Sequence, residues 1–420
     1  MSAELISILV LVVVFVIATT RSINMGALAF AAAFVVGELV ADLDADGIFA
    51  GFPGDLFVVL VGVTYLFAIA RANGTTDWLV HASIRLVGGR IALIPWVMFV
   101  ITGALTAIGA VSPAAVAIVA PIALSFAARY GISPLLMGAM VVHGAQGGGF
   151  SPISIYGSIV NGIVERENLP GNEIALFLAS LAANLVIAGV VFVLFGGLKL
   201  ARHRAAEGDD SPGPPADEET PRLDAPRAAT LLALVALVVA VLGFDLDAGL
   251  TAITLAVLIS AAWPDTSRKA VGAIAWPTVL LICGVLTYVG VLEEMGTIKW
   301  AGEGVGGIGV PLLAALLLCY IGAIVSAFAS SVGIMGALIP LAVPFLAQGE
   351  IGAIGMIAAL AVSATVVDVS PFSTNGALVL AAAPDVDRER FFKQLMVYGG
   401  VVVAVVPAAA WLVLVVPGFG

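Results

Sequence analysis

Charge is what this 420-residue chain has least of: Asp, Glu, Lys and Arg make up 11% of it, while 61% is hydrophobic. Soluble domains carry about 25% charged residues. So few charges cannot cover so much apolar surface in water, which excludes a soluble enzyme and a nucleic-acid binder. Cysteine is nearly absent too. Cys283 and Cys319 both sit inside apolar runs, which excludes a disulfide scaffold and a thiolate metal centre. Of the three histidines only His143 lies in an apolar run, with no acidic or Cys partner clustered beside it, so a membrane enzyme is not expected either. Basic residues are missing ahead of Leu5–Thr20, where only Glu4 stands. That is the wrong flank for a cleavable signal, and the segment reads as a first membrane span.

What the chain does have is apolar run after apolar run. One transmembrane helix takes roughly 20 apolar residues, so about ten spans fit. The net charge of −11 comes from acids in loops such as Asp42-Leu43-Asp44-Ala45-Asp46 and Asp217-Glu218-Glu219. It speaks for the solubility of the loops and little for a substrate.

The chain also repeats itself. Residues 103 to 160 align with 322 to 379 without a gap, and 17 of those 58 positions are identical. Ser112 pairs with Ser331, Pro121 with Pro340, Phe126 with Phe345, and Ser151-Pro152-x-Ser154-x-x-Gly157 with Ser370-Pro371-x-Ser373-x-x-Gly376. An alanine-rich composition does not produce such matches. Further out, Thr64-Tyr65 pairs with Thr287-Tyr288, and Trp78 with Trp300. Residues 1–198 and 228–420 therefore read as two homologous units. The Pro-, Asp-, Glu- and Arg-rich stretch 199–227 between them has no apolar periodicity and reads as a flexible linker.

In the first unit, helices are expected near 5–20, 24–41 and 55–70, then a short amphipathic stretch near 76–88. An apolar hairpin at 92–128, a broken helix at 134–164 and a last helix at 174–198 follow. The second unit repeats the layout, with its hairpin at about 310–347 and its broken helix at about 352–383. Because the hairpin adds an even number of crossings, each unit has an odd total. The two units should therefore have opposite orientations, a layout typical of secondary transporters. With the N-terminus outside, fifteen of the 17 basic residues fall on the cytoplasmic side, and only Arg166 and Lys299 outside. The positive-inside rule thus favours both termini outside the cell and a cytoplasmic linker.

Four segments break helical expectation at membrane depth. Two are the hairpin tips, Ala110-Val111-Ser112-Pro113 and Ala329-Ser330-Ser331-Val332. The others are Gly147 to Ser154 and Asp368 to Gly376. Proline removes a backbone donor and clashes with the preceding turn. Irregular backbone in hydrocarbon survives only where protein or a water-filled cavity satisfies it, so one shared central site is expected. Helix N-terminal amides suit an anion there, while free carbonyls and hydroxyls suit a small cation. No Lys or Arg lies in any of the four segments. An anionic substrate would have to be held by amide dipoles, Ser, Thr and Asn donors, and a co-bound cation. Asp368 is a carboxylate at midplane, and so a functional candidate: it could ligate a cation, carry a proton or cap the following half-helix. Its repeat partner is Gly149, so two ion sites would not be equivalent. His143, near Gln146 ahead of the first break, is a candidate proton carrier.

On these motifs the sequence resembles the ion transporter superfamily, and within it the divalent anion:sodium symporters and the malonate/dicarboxylate carriers. Where the symporters carry Ser-Asn-Thr at each hairpin tip, this chain reads Val111-Ser112-Pro113 and Ser330-Ser331-Val332. Its Ser-Pro-x-Ser breaks look closer to the malonate-type carriers. The resemblance implies an all-α, dimeric, elevator-type transporter of the inner (plasma) membrane. It implies no cofactor beyond a coupling Na+ or H+, and a small dicarboxylate substrate. Ser112, Ser154, Ser331, Ser373, Thr374 and Asn375 inherit substrate-binding roles. Val111, Ser112, Gly149, Ser151, Ser330, Ser331, Asp368 and Ser370 inherit ion-binding roles, with Val111 and Ser330 contributing mainly backbone. Two other readings stay open: the membrane subunit of a carrier that depends on a separate binding protein, and a cation/proton antiporter that uses Asp368.

Overall fold

The computed structural model describes residues 2–21, 23–84, 91–200, 223–244, 246–298, 300, 310–327, 331–346, 349, 351–383 and 386–419. Most of the 199–227 linker and the tip residue Ser330 lie outside them. Every described element is helical. In the first unit these are α1 (Ala3–Arg21), α2 (Met25–Leu39), α3 (Ala45–Ala50), α4 (Gly54–Ala72), α5 (Thr75–Ile84), α6 (Ile94–Ala107), α7 (Ser112–Tyr130), α8 (Pro134–Gly148), α9 (Ile155–Arg166) and α10 (Glu173–Leu194). The second unit holds α11 (Ala225–Phe244), α12 (Ala248–Ala262), α13 (Trp276–Glu294), α14 (Pro311–Ser326), α15 (Ser331–Leu346), α16 (Ala353–Val366), α17 (Thr374–Ala382) and α18 (Arg388–Ala410). Among the described residues, six helical stretches are long and apolar enough to cross a membrane, and six shorter apolar helices accompany them. The acidic loop at 42–46 is shorter than expected. Asp44 accepts the Gly47 N–H and so starts α3 inside it, an N-cap that offsets the weak apolar content.

Residue type sorts the helices into layers. α8 and α16 are apolar or small but for His143 and Gln146 on α8 and Ser363 and Thr365 on α16, and are buried along their whole length, as helices without a solvated face must be. They form the centre. α10, α11 and α18 instead turn Val186, Leu194, Leu232, Val235, Val397 and Val401 outward. So broad an apolar belt is stable only against lipid.

The two units are joined by contacts that come in exchanged pairs. α2 packs on α13 and α12 on α4; α7 packs on α17 and α15 on α9. The first two crossings are backbone-close. A β-carbon on Gly26 would stand 1.9 Å from the Leu280 carbonyl oxygen, and one on Gly62 would stand 2.4 Å from that of Gly249. Small residues are what let membrane helices approach this far. Gly51, just ahead of α4, lies against Gly290 near the end of α13. Thr64, further along α4, accepts the Ala275 N–H at the start of α13 at 3.4 Å.

One end of the molecule carries a charged group of residues: Asp55 and Arg166 form an ion pair, and Glu167 faces Glu293. Burial, with the like charge of Glu293, pushes the Glu167 carboxyl up to about 7. These residues come from the start of α4 and the ends of α9 and α13, which the charge count puts on one side of the membrane.

Candidate functional site

Both Ser-Pro breaks are built the same way. At the first, Ser154 caps α9 by accepting the Gly157 N–H at 3.1 Å, and its hydroxyl lies 2.5 Å from the Gly149 carbonyl and 2.7 Å from that of Ser151. At the second, Ser373 accepts the Gly376 N–H at 3.4 Å and lies 2.5 Å from the Asp368 carbonyl and 2.7 Å from that of Ser370. One hydroxyl thus ties off both helix ends that the proline separates. The matched glycines are there for space. A β-carbon on Gly157 would come within 2.0 Å of the Ser151 oxygen, and one on Gly376 within 1.9 Å of the Ser370 oxygen.

This geometry divides the expected site residues. Ser154 and Ser373 spend their hydroxyls inside the loops. Ser151 donates to the Ala107 carbonyl at the end of α6, and the Ser370 hydroxyl accepts the Phe372 N–H at 3.3 Å. The carbonyls of Gly149 and Val111 are also engaged, the former by Ser154 and the Gly157 N–H, the latter by the first turn of α7. Replacing Ser154 or Ser373 by alanine is therefore expected to cost about 1 kcal/mol, the usual loss of an N-cap, measurable as a lower melting temperature. Thr374 is exposed, one residue outside the buried group.

Four of the expected residues do meet, and three more join them. Ser331, at the start of α15, donates to Asp368 Oδ1 at 2.6 Å, and Gln146 Nε2, on α8, donates to Asp368 Oδ2 at 2.8 Å. Asn375 Nδ2 donates to Ser112 Oγ at 2.8 Å, with Gln146 Nε2 3.5 Å from the same oxygen. Tyr156 lies against Ser112, Gln146 and Asp368. Ser326 on α14 completes the set, 2.8 Å from Ser331. All of these side chains are buried. Each unit's hairpin tip thus reaches the second break, and α8 of the first unit holds the carboxylate of the second.

Gln146, Tyr156 and Ser326 were the residues missed as site members. Tyr156 occupies the same repeat position as Asn375, a signal that was available once the breaks were aligned. His143 stands apart from the cluster. Its Nδ1 is 3.0 Å from Asn184 Oδ1 and its Nε2 2.6 Å from the Tyr398 hydroxyl, so both ring nitrogens are engaged in holding α10 and α18 to α8. Asn184 in turn bonds Ser180, whose hydroxyl donates to the Gln146 carbonyl at 3.0 Å. A cavity of about 1190 Å³ between α10 and α18 is lined mainly by Val, Ala and Leu. Its lining also includes Asp387, Glu389, Arg390 and Lys393, around the start of α18.

The long apolar helices and the buried polar cluster between them define a multi-span membrane protein. Residues 1–149 match the family described as dicarboxylate carrier protein MatC N-terminus. The crystal structure of the Alcanivorax borkumensis YdaH transporter has a similar fold, with 13% identity, 98% of each chain covered and a TM-score of 0.61. No protein of curated function matches the sequence. The family match covers the first third of the chain, and the structural likeness is one of fold.

Proposed function

We propose that this chain is a secondary active carrier of three- or four-carbon dicarboxylates, driven by a sodium or proton gradient, in the plasma membrane. The observation that carries the reading is the cluster itself. Both hairpin tips and the second break converge with Gln146, just ahead of the first break, on one buried polar site, and none of the four segments contributes a Lys or Arg. Two capped half-helices, α9 and α17, begin beside it, and helix N-termini favour anionic groups. A pair of them suits a solute with an acid at each end. Asp368 would repel such a solute, so a cation or proton must enter with it, and that requirement is the coupling.

The exchanged packing supports two units of opposite orientation related by a pseudo-two-fold axis. In such a protein, alternating access comes from one body moving against another around the site. The hairpins and broken helices, with α10 and α18, would form the moving body. α1, α2 and α4 with α11, α12 and α13 would form the scaffold and hold a homodimer.

The test is uptake of labelled malonate or succinate by the purified chain alone in liposomes, under an imposed sodium or proton gradient. Uptake is expected without any added protein, and Asn375→Ala should reduce it at least tenfold while the protein still inserts. No uptake of either acid under either gradient would end the reading. Dependence on an added soluble protein would favour a binding-protein-dependent carrier. Sodium–proton exchange without an organic anion would favour an antiporter.

A further inference from the structure

The charged group at one end of the molecule joins a broken helix to two helices of the other layer. Arg166 ends α9 and Glu167 caps it, whereas Asp55 lies in the first turn of α4 and Glu293 in the last turn of α13. The Arg166 guanidinium pairs with Asp55, and the half-buried Glu167 faces Glu293. Beneath the charges the helices touch: a β-carbon on Gly162 of α9 would stand 2.8 Å from the Leu56 side chain of α4. α15 and α10 also pack on α9. α15 carries no charged residue, and α10 brings Glu173 at its first position. Glu165 and Glu294 flank the group in sequence, and the Cys283 thiol of α13 lies within electrostatic range of Arg166 and Asp55. Among these groups Arg166 is the single cation, and Asp55 already holds it. An ionised Glu167 therefore meets Glu293 without full compensation.

The junction is also one-sided. The repeat counterpart of α9 on α4 is α17 on α13, and that pair has no comparable packing among the described residues. Two homologous units that differ in one contact show that the fold holds together with that contact made or released. At the offset of the aligned block Glu167 falls on Val386, so the second unit has no carboxyl at that position.

We propose that the ends of α4, α9 and α13 form a proton-operated latch, closed while Glu167 is neutral and loosened when it ionises opposite Glu293. The carboxyl keeps its proton more tightly in the closed junction than in water. There burial, with the like charge of Glu293, pushes it up to about 7 from an ordinary value of 4.5. Closure is therefore most favoured below the ordinary carboxylate range, weakens as the pH rises through the interval between those two values, and stays weak above it. The latch rests on the carrier reading for its purpose: α9 belongs to the body that would move against α4 and α13, so the latch would set the fraction of carriers free to cycle. Its closure can be measured without any substrate.

The experiment is mercuric-ion bridging of Leu56→Cys/Gly162→Cys in the purified full chain with no dicarboxylate present, the single-cysteine variants serving as controls. Leu56→Cys vacates the atoms that a side chain at 162 would meet, and the native Cys283 and Cys319 are buried. Bridging rates at about pH 5 and about pH 7.5 are compared with and without Glu167→Gln, so that the thiols' own pH dependence cancels. Relative to Glu167→Gln, the chain that keeps Glu167 should bridge at least about threefold more slowly at the higher pH than at the lower. The bridged chain should not take up malonate or succinate, and excess free thiol should restore uptake. A pH-independent ratio would overturn the latch, as would absence of bridging at the lower pH or undiminished uptake by the bridged chain. Uptake by the unaltered chain with a pH-independent ratio would leave the carrier standing. The expected bridging without uptake of either acid by the unaltered chain would keep the latch and end the carrier.

Discussion

Replacing Gly376 by alanine is expected to abolish transport and to lower the melting temperature by more than any capping substitution. The added methyl would stand 1.9 Å from the Ser370 oxygen and 2.7 Å from that of Val369. Both are backbone atoms of the loop that Ser373 closes, so no flexible side chain can move aside. Overpacking usually costs about 1–3 kcal/mol, and this contact belongs at or above the upper end because the backbone itself must shift. The shift would move Asp368 and Asn375, which flank the loop, out of register with Gln146 and Ser112. Gly400→Ala is the matched control: that position, within α18, has open space around it and should gain a little helix stability. Wild-type uptake by Gly376→Ala would mean that the second break is not part of the transport path.

The second large effect is expected from Gln146→Leu. It removes one of two hydrogen-bond donors to a buried carboxylate. A bond to a charged group is worth about 1.5–3 kcal/mol, and more when the partner is left uncompensated. In sodium-free buffer the single variant should melt well below the unaltered chain. Combining it with Asp368→Asn should recover most of the loss, because the neutral amide no longer depends on that donor. The coupling read from the double-mutant cycle is the decisive quantity. Additive effects would show that the Gln146 amide does nothing to hold the Asp368 side chain.

These two experiments concern residues that were not equally visible beforehand. The Gly376 frame was legible because the motif occurs twice at one offset, and repeated spacing survives without knowledge of the fold. Asp368 was legible for a different reason: a carboxylate inside an apolar run is conspicuous anywhere in a membrane chain. Gln146 was noticed only as a neighbour of the first break. Nothing in its local sequence says that α8 of one unit faces the acid of the other, since that contact spans 222 residues. The roles of Ser154 and Ser373 were hidden for a related reason. A serine after a proline break can face a solute or cap the next helix, and only the direction of its hydroxyl distinguishes them.

The sequence by itself determined that the chain is a membrane protein of apolar helices, that it is made twice over, and where its helices must break. Composition, periodicity and proline are local properties, and lipid as the solvent leaves few ways to satisfy a backbone. Only the tertiary structure decided which broken segments meet. Ser112, Gln146, Tyr156, Ser331, Asp368 and Asn375 come from different helices of both units. Their proximity is set by how closely small residues let α2, α4, α12 and α13 cross and by how α7 and α15 lie on the opposite unit's half-helices, and that packing leaves no mark in either unit read alone.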